Sequence, residues 1–212
     1  MKIISIRNGF ECDHSSANYE FFSSERPLTK EERKAISGYS SRSHPGTRKA
    51  TFSYFGDYDL PSGAEKDLLT NYFDVMVSES YDWWQFAIAF DYDKKLFDAL
   101  KKYECEGSND TGIVIEKSGK RIIVHIYCQI EYDDFSPSKF PSGIDEEEDD
   151  ESEVDVDFEN YRNLLINLKR EILRGDFSSL HAVCKFFEPG KLDEVVEYTK
   201  VGKKLQSILV EN

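Results

Sequence analysis

The sequence has no apolar run near the ~18 residues needed to span a bilayer, no closely spaced cysteine pair and no glycine-rich phosphate loop. It is also short of basic residues, with 27 Lys and Arg against 41 Asp and Glu, a net charge of −14. That balance disfavours direct nucleic-acid binding, where basic side chains must replace phosphate counterions. It equally disfavours an anionic membrane surface. The four cysteines (Cys12, Cys105, Cys128 and Cys184) are scattered without a CxxC pair, so they read as reduced, mostly buried thiols. The opening MKIISIRNGFECDH meets charge too early for an export signal, and a cytoplasmic location is expected. Neither GxxxxGKS/T nor GxGxxG occurs, so no cofactor is expected, and no GxSxG elbow marks a nucleophile.

What is present argues for a folded chain. Hydrophobic residues make up 39% and charged residues 32%, a balance that alone leans toward disorder. Against it stand 15 Phe, 12 Tyr and 2 Trp, side chains that bury ~150–250 Å² each and anchor cores. The acidity is concentrated: DEEEDDESEVDVD, from Asp145 to Asp157, holds ten carboxylates in thirteen positions and no base. With the Pro- and Gly-containing stretch before it, residues 133–156 read as a solvated linker. The expected organisation is therefore a sheet domain over 1–132, an acidic linker over 133–156 and a helical subdomain over 157–212.

Within the first part, strand and helix signals alternate. Tyr19–Ser23, Thr47–Phe55, Trp83–Phe90 and the two arms around Ser118-Gly119 read as strands. Thr29-x-x-Glu32 and Ser62-x-x-Glu65 read as capping boxes. Behind the second, Leu68, Leu69, Tyr72, Phe73, Met76 and Val77 form an apolar stripe at helical spacing. The second hairpin arm, KRIIVHIYCQI, is so apolar that it belongs centrally in the sheet. Beyond the linker, one helix is expected on Phe158, Tyr161, Leu165, Leu168 and Ile172, ending at Gly175. A second follows Asp176, and a third spans Leu192 to Leu209. An α+β fold is expected, with a mostly antiparallel or mixed sheet of about five strands, helices packed on it and the C-terminal helical subdomain.

The stretch YEFFSSERPLTKEER (Tyr19–Arg33), followed in order by Ser40-Ser41-Arg42, Gly56-Asp57, Tyr72-Phe73-Asp74 and Asp82-Trp83, resembles an uncharacterised bacterial protein family. That family's pattern is a YEFxxxxRPLTxEE opening, an S-S/T-R triplet, a GDF turn, a YFD helix and an NW strand entry. LKREILRGDFSSLHAV (Leu168–Val183) is similar to its leucine-rich helix pair. The chain departs from the pattern at Trp84-Gln85, where the family has a glycine soon after the tryptophan, and in reading GDYD at the turn. The resemblance implies no activity.

Candidate chemistry rests on a few groups. Arg26 and Arg42 form a candidate anion-binding pair, since a guanidinium grips a carboxylate or phosphate bidentately; the structural alternative pairs them with Glu25 or Asp57. The triplets Asp57-Tyr58-Asp59 and Asp91-Tyr92-Asp93 offer carboxylates to a hard cation, or simply cap helices. Asp57, Asp59, Arg26 and Arg42 are thus the candidate catalytic residues. Ser40-Ser41-Arg42-Ser43-His44 reads as a turn, His125 as a hydrogen-bonded sheet histidine, and Cys12-x-His14 as half of a zinc site with no second pair. No metal is expected.

Trp83-Trp84 must point to opposite faces of a strand. One indole enters the core, while the other meets a covering helix, a ligand or a partner, with packing against the C-terminal helices favoured. Trp83 and Trp84 are candidate interaction residues, as are the acids Asp145, Glu146, Glu147, Glu148, Asp149, Asp150 and Glu151. The function expected is a non-catalytic adaptor or accessory subunit of a bacterial cytoplasmic assembly, with a protein partner that has a basic surface. The alternatives are a metal-dependent nuclease or phosphohydrolase with an acidic site, and an acidic regulator that fills the basic groove of a nucleic-acid-binding partner.

Overall fold

Tyr19 and Phe21 alternate with Glu20 and Phe22 along β1 (Ala17–Phe22), so a single strand offers different chemistry to two faces. The computed structural model describes residues 17–55, 58–80, 83–130, 153–192 and 196–210. The other strands are β2 (Ser43–Pro45), β3 (Lys49–Tyr54), β4 (Val75–Ser80), β5 (Trp83–Asp91), β6 (Cys105–Glu106), β7 (Gly112–Ser118) and β8 (Arg121–Gln129). They form one antiparallel sheet in the order β2-β3-β1-β4-β5-β8-β7-β6. The α+β class holds, but a sheet of about five strands is an undercount.

The missing strands have physical reasons. β2 and β6 are too short to carry a pattern. β4 was hidden in an apparent helical stripe. The helix α2 (Ala64–Asn71) closes where the Tyr72 and Phe73 N–H groups both donate to Leu68 O, at 2.9 and 3.0 Å. Beyond it Val75 and Val77 enter one apolar cluster and Met76 the other. A strand buried on both faces loses its alternation and cannot be told from helix by period.

The capping expectations divide. At α1 (Lys30–Ser37) the box is present: Glu32 N–H donates to Thr29 Oγ1 at 3.1 Å, and Thr29 N–H to Glu32 Oε2 at 2.8 Å. At α2 it is not. The N-cap is Gly63 at φ 82°, with no side-chain cap, which leaves Glu65 for other work. The hairpin turn is also displaced by one residue. Ser118 pairs with Arg121, and Gly119 at φ 57° opens the turn. β8 lies between β5 and β7, as its apolar run required.

The face bearing Tyr19 and Phe21 is covered by α1 and α2, through Ile36, Leu68 and Leu69. The opposite face is covered by α4 (Glu153–Leu173), α5 (Ser178–Phe187) and α6 (Lys200–Val210), and α3 (Lys94–Leu100) adds Leu100 to the same cluster. The C-terminal helices therefore share one core with the sheet. α4 begins inside the acidic stretch, at Glu153. It ends as expected at Gly175 (φ 81°), with Gly175 N–H on Ile172 O and Asp176 N–H on Glu171 O, the two bonds of a Schellman motif. The last helix starts later than its apolar pattern suggested, because Thr199 Oγ1 accepts from Gly202 N–H at 3.1 Å. Leu192 and Val196 precede it.

Two ion-pair clusters fasten α4 to β1 and β4. Arg162 donates to Glu20 Oε1 at 2.7 Å, with Lys49 3.3 Å from the other oxygen. Lys169 Nζ lies 2.5 Å from Asp74 Oδ2 and 2.7 Å from Glu25 Oε1. Ser24 donates to Asp74 through both its N–H and its hydroxyl. Lys169 and Asp74 are each 3% exposed. Removing one partner strands the other charge, which typically costs about 3–5 kcal/mol. Lys169→Met is expected to lower unfolding stability by about that much in urea titrations, whereas the exposed Lys94→Met, which breaks only the surface pair with Asp98, should leave the urea midpoint nearly unchanged.

Candidate functional site

Antiparallel register sets the side chains of the α2-covered face in rows. Tyr54, Ala17, Ser80, Trp83 and Gln129 form one row, and Phe52, Tyr19, Ser78, Gln85 and Tyr127 the next. In the third, His125 follows Ala87. Helix α2 covers the apolar part beyond these rows, so polar groups collect at its N-terminal end.

The centre of this collection is Gln85. Its amide donates to His125 Nδ1 at 3.0 Å, and Tyr127 Oη is 3.5 Å away. Because Nδ1 accepts, the imidazole proton sits on Nε2, which faces Glu116 Oε1 at 3.5 Å. Lys66 Nζ closes the chain on Glu116 Oε2 at 2.5 Å. On the other side Glu65, released from capping, also bonds the Gln85 side chain. Burial raises the Glu65 carboxyl above its ordinary value. Burial likewise lowers His125, against the pull of Glu116. An amide separates the carboxyl from the imidazole, so the two groups do not form a continuous proton relay. The network braces the sheet.

No motif pointed to this cluster. The signal was there as single polar interruptions in apolar strands, Gln85 in WWQFAIAF and His125 in IIVHIY, but pairing them requires the β5–β8 register.

The candidates taken from sequence fall into separate places. Arg26 is held bidentately by Glu32, at 2.5 and 2.8 Å, on the surface. Glu25 turns to Lys169. Arg42 lies over the rings of Tyr54 and Tyr58, its guanidinium carbon 5.7 and 5.1 Å from their centroids. Asp59 Oδ1 accepts from Tyr19 Oη at 2.6 Å and from Leu60 N–H at 2.7 Å. Burial and that carboxylate push the Tyr19 phenol well above its usual range. Asp93 caps α3 by accepting from Leu96 N–H at 2.8 Å. Asp57, Cys12, His14 and the acids 145–151 lie outside the described residues.

The tryptophans separate cleanly. Trp84 is 2% exposed and packs on Phe158 and Tyr161 of α4, with ring centroids 5.7 and 5.1 Å away. Packing against the C-terminal helices thus describes Trp84 alone. Trp83 is 38% exposed, between Ser80 and Gln129 in its row.

Elsewhere a cavity of about 210 Å³ lies between the β6–β7 turn and the ends of α5 and α6, lined by Gly107, Ser108, Phe186 and Phe187 among others. Its one sulfur, the Cys128 thiol, is pushed well up by burial. Among the described residues, no group of three or more His, Cys, Asp or Glu is placed to hold a metal, and no helix is long and apolar enough to cross a membrane. Comparison with known proteins returns no match to a family model or to a curated relative.

Two measurements follow from this geometry. Iodide or acrylamide should quench Trp83 and leave Trp84 emission intact, so Trp83→Phe should abolish most of the quenchable signal. His125 has a folded-state pKa below its ordinary 6.5, so the unfolded chain takes up the proton first. The stability it contributes is present above pH 6.5 and drains as pH falls below it. Glu65 has the opposite sign: its raised value makes its burial costly as pH rises above 4.5. In urea titrations His125→Asn should flatten the stability gain between about pH 5.5 and 7.5, while Glu65→Gln should add stability at the upper end.

Proposed function

We propose that the chain is a non-catalytic adaptor or accessory subunit that engages a protein partner through the Trp83 end of the α2-covered face. The observation that carries this reading is the exposure of Trp83 on a strand bonded on both sides, by β4 and β8. Tryptophan is enriched at interface hot spots, and a strand-mounted side chain loses little freedom on binding.

The partner has a basic surface and the setting is a bacterial cytoplasmic assembly. Ten carboxylates in thirteen residues generate a field that extends about 8 Å at physiological salt. Such a field speeds encounter more than it deepens affinity. The nuclease or phosphohydrolase reading draws less support, since Asp93 is occupied as a helix cap and Asp59 by Tyr19. The groove-filling regulator rests on the acidic run alone.

The test is a photo-crosslinking side chain at position 83, with position 173 as control, in the native host. Leu173 is 59% exposed on α4, and crosslinks there should not report the partner. The protein captured at 83 should bind the wild-type chain, and Trp83→Ser should weaken that binding at least about tenfold. Replacing the acids 145–151 by Ser and Asn should slow association at low salt and leave dissociation nearly unchanged. Equal binding by Trp83→Ser and wild type would sink the adaptor reading at this surface.

A further inference from the structure

Two buried donors at the Tyr54 end of the Trp83 row have no acceptor among the described residues. Tyr54 is 4% exposed, and its Oη is buried without a hydrogen-bond partner. Arg42 Nη1 is in the same condition. The two are neighbours, because the Arg42 guanidinium rests over the Tyr54 ring. Folded proteins pair nearly all buried polar atoms, so each exception calls for an explanation. A guanidinium lying over aromatic rings still presents its N–H edge, the part that meets an oxyanion. Arg26, the other member of the anion-binding pair expected from sequence, is consumed by Glu32.

We propose that Arg42 Nη1 and Tyr54 Oη together bind a carboxylate supplied from outside the chain. The surroundings bound its charge. The Tyr19 ring centroid is 6.2 Å from that of Tyr54, and Tyr19 holds Asp59, whose charge is felt in turn at Glu65. With Asp59 and Glu65 close by, every further negative charge is disfavoured, so a monoanion held by hydrogen bonds is the most the site accepts. A phosphate dianion brings a second negative charge to the same carboxyl groups and is disfavoured more strongly. Tyr58 supplies a flat wall on the open side, with its ring 5.1 Å from the guanidinium carbon. The ligand class is therefore a small organic monocarboxylate with a flat or aliphatic body.

The experiment follows the Arg42 side-chain N–H resonances while sodium acetate, sodium benzoate or sodium phosphate replaces sodium chloride at constant ionic strength. Acetate and benzoate should give saturable shifts, with benzoate the tighter of the two, and phosphate should give none. Arg42→Gln should abolish the response. Tyr54→Phe should weaken it at least about fivefold, the loss of one hydrogen bond to a charged group, with a melting temperature equal to or above wild type, since it deletes an unpaired buried hydroxyl. A short peptide and its C-terminally amidated form identify the source: a response to the free-acid peptide and none to acetate or benzoate assigns the site to a chain terminus rather than a free acid. A phosphate response without a carboxylate response overturns the assignment. So does a Tyr54→Phe variant that melts several degrees lower, because the hydroxyl is then bonded within the chain. Trp83→Ser should leave every acetate shift in place, which separates failure here from failure of the partner surface.

Discussion

The buried contact between Lys169 and Asp74 sets the terms for everything around it. A lysine taken wholly out of water must be matched, and matching it fixes three parts of the chain at once. Asp74 sits where α2 gives way to β4, Glu25 lies just past the end of β1, and Lys169 lies one turn before the end of α4. Ser24 completes the set by donating twice to Asp74. The pair thus fixes how α4 lies across the sheet. Arg162 on Glu20, two turns earlier on the same helix, excludes any other register. Apolar burial supplies the driving force for docking α4, and these charges select its position.

The two faces of the sheet consequently differ in kind. Under α4, α5 and α6 the core is continuous and apolar, built from Val75, Val77, Phe86, Ile88 and their neighbours. Under α1 and α2 it is continuous only over part of the face. Past the end of α2 the same strands carry Gln85, His125 and Tyr127, with Trp83 open beside them. An interface or ligand site needs groups held rigidly yet left uncovered, and the uncovered end of a well-buttressed sheet meets that requirement.

Much of the framework was legible in the sequence because local signals dictated it. The Thr29 capping box, the Gly175 stop and the central placement of β8 are all cases where a few adjacent residues settle the outcome. The failures share a cause. Met76 and Val77 looked helical because β4 is buried on both faces, and Ser62 looked like a cap because nothing local revealed that Glu65 has a partner in β5. The site was less legible still. Arg26 and Arg42 are both arginines beside strands, yet only the fold gives one of them Glu32 and sets the other over tyrosine rings. Glu20, Glu25, Asp74 and Lys169, far apart in sequence, prove to be the anchors of α4.

The anchors of α4 also impose an order on biosynthesis. Arg162 reaches back 142 residues to Glu20, and Lys169 reaches back 144 to Glu25. A chain leaving the ribosome therefore presents Trp84, Phe86, Ile88 and Phe90 as a bare apolar face well before the helices that cover them are made. Naked sheet faces on nascent chains invite association. The segment synthesised between the last strand and the covering helices is the one that carries Asp145–Glu151. Clustered like charge next to an unavoidable apolar surface opposes aggregation, so the acids arrive during the interval in which the half-built protein most needs to stay apart from its own copies.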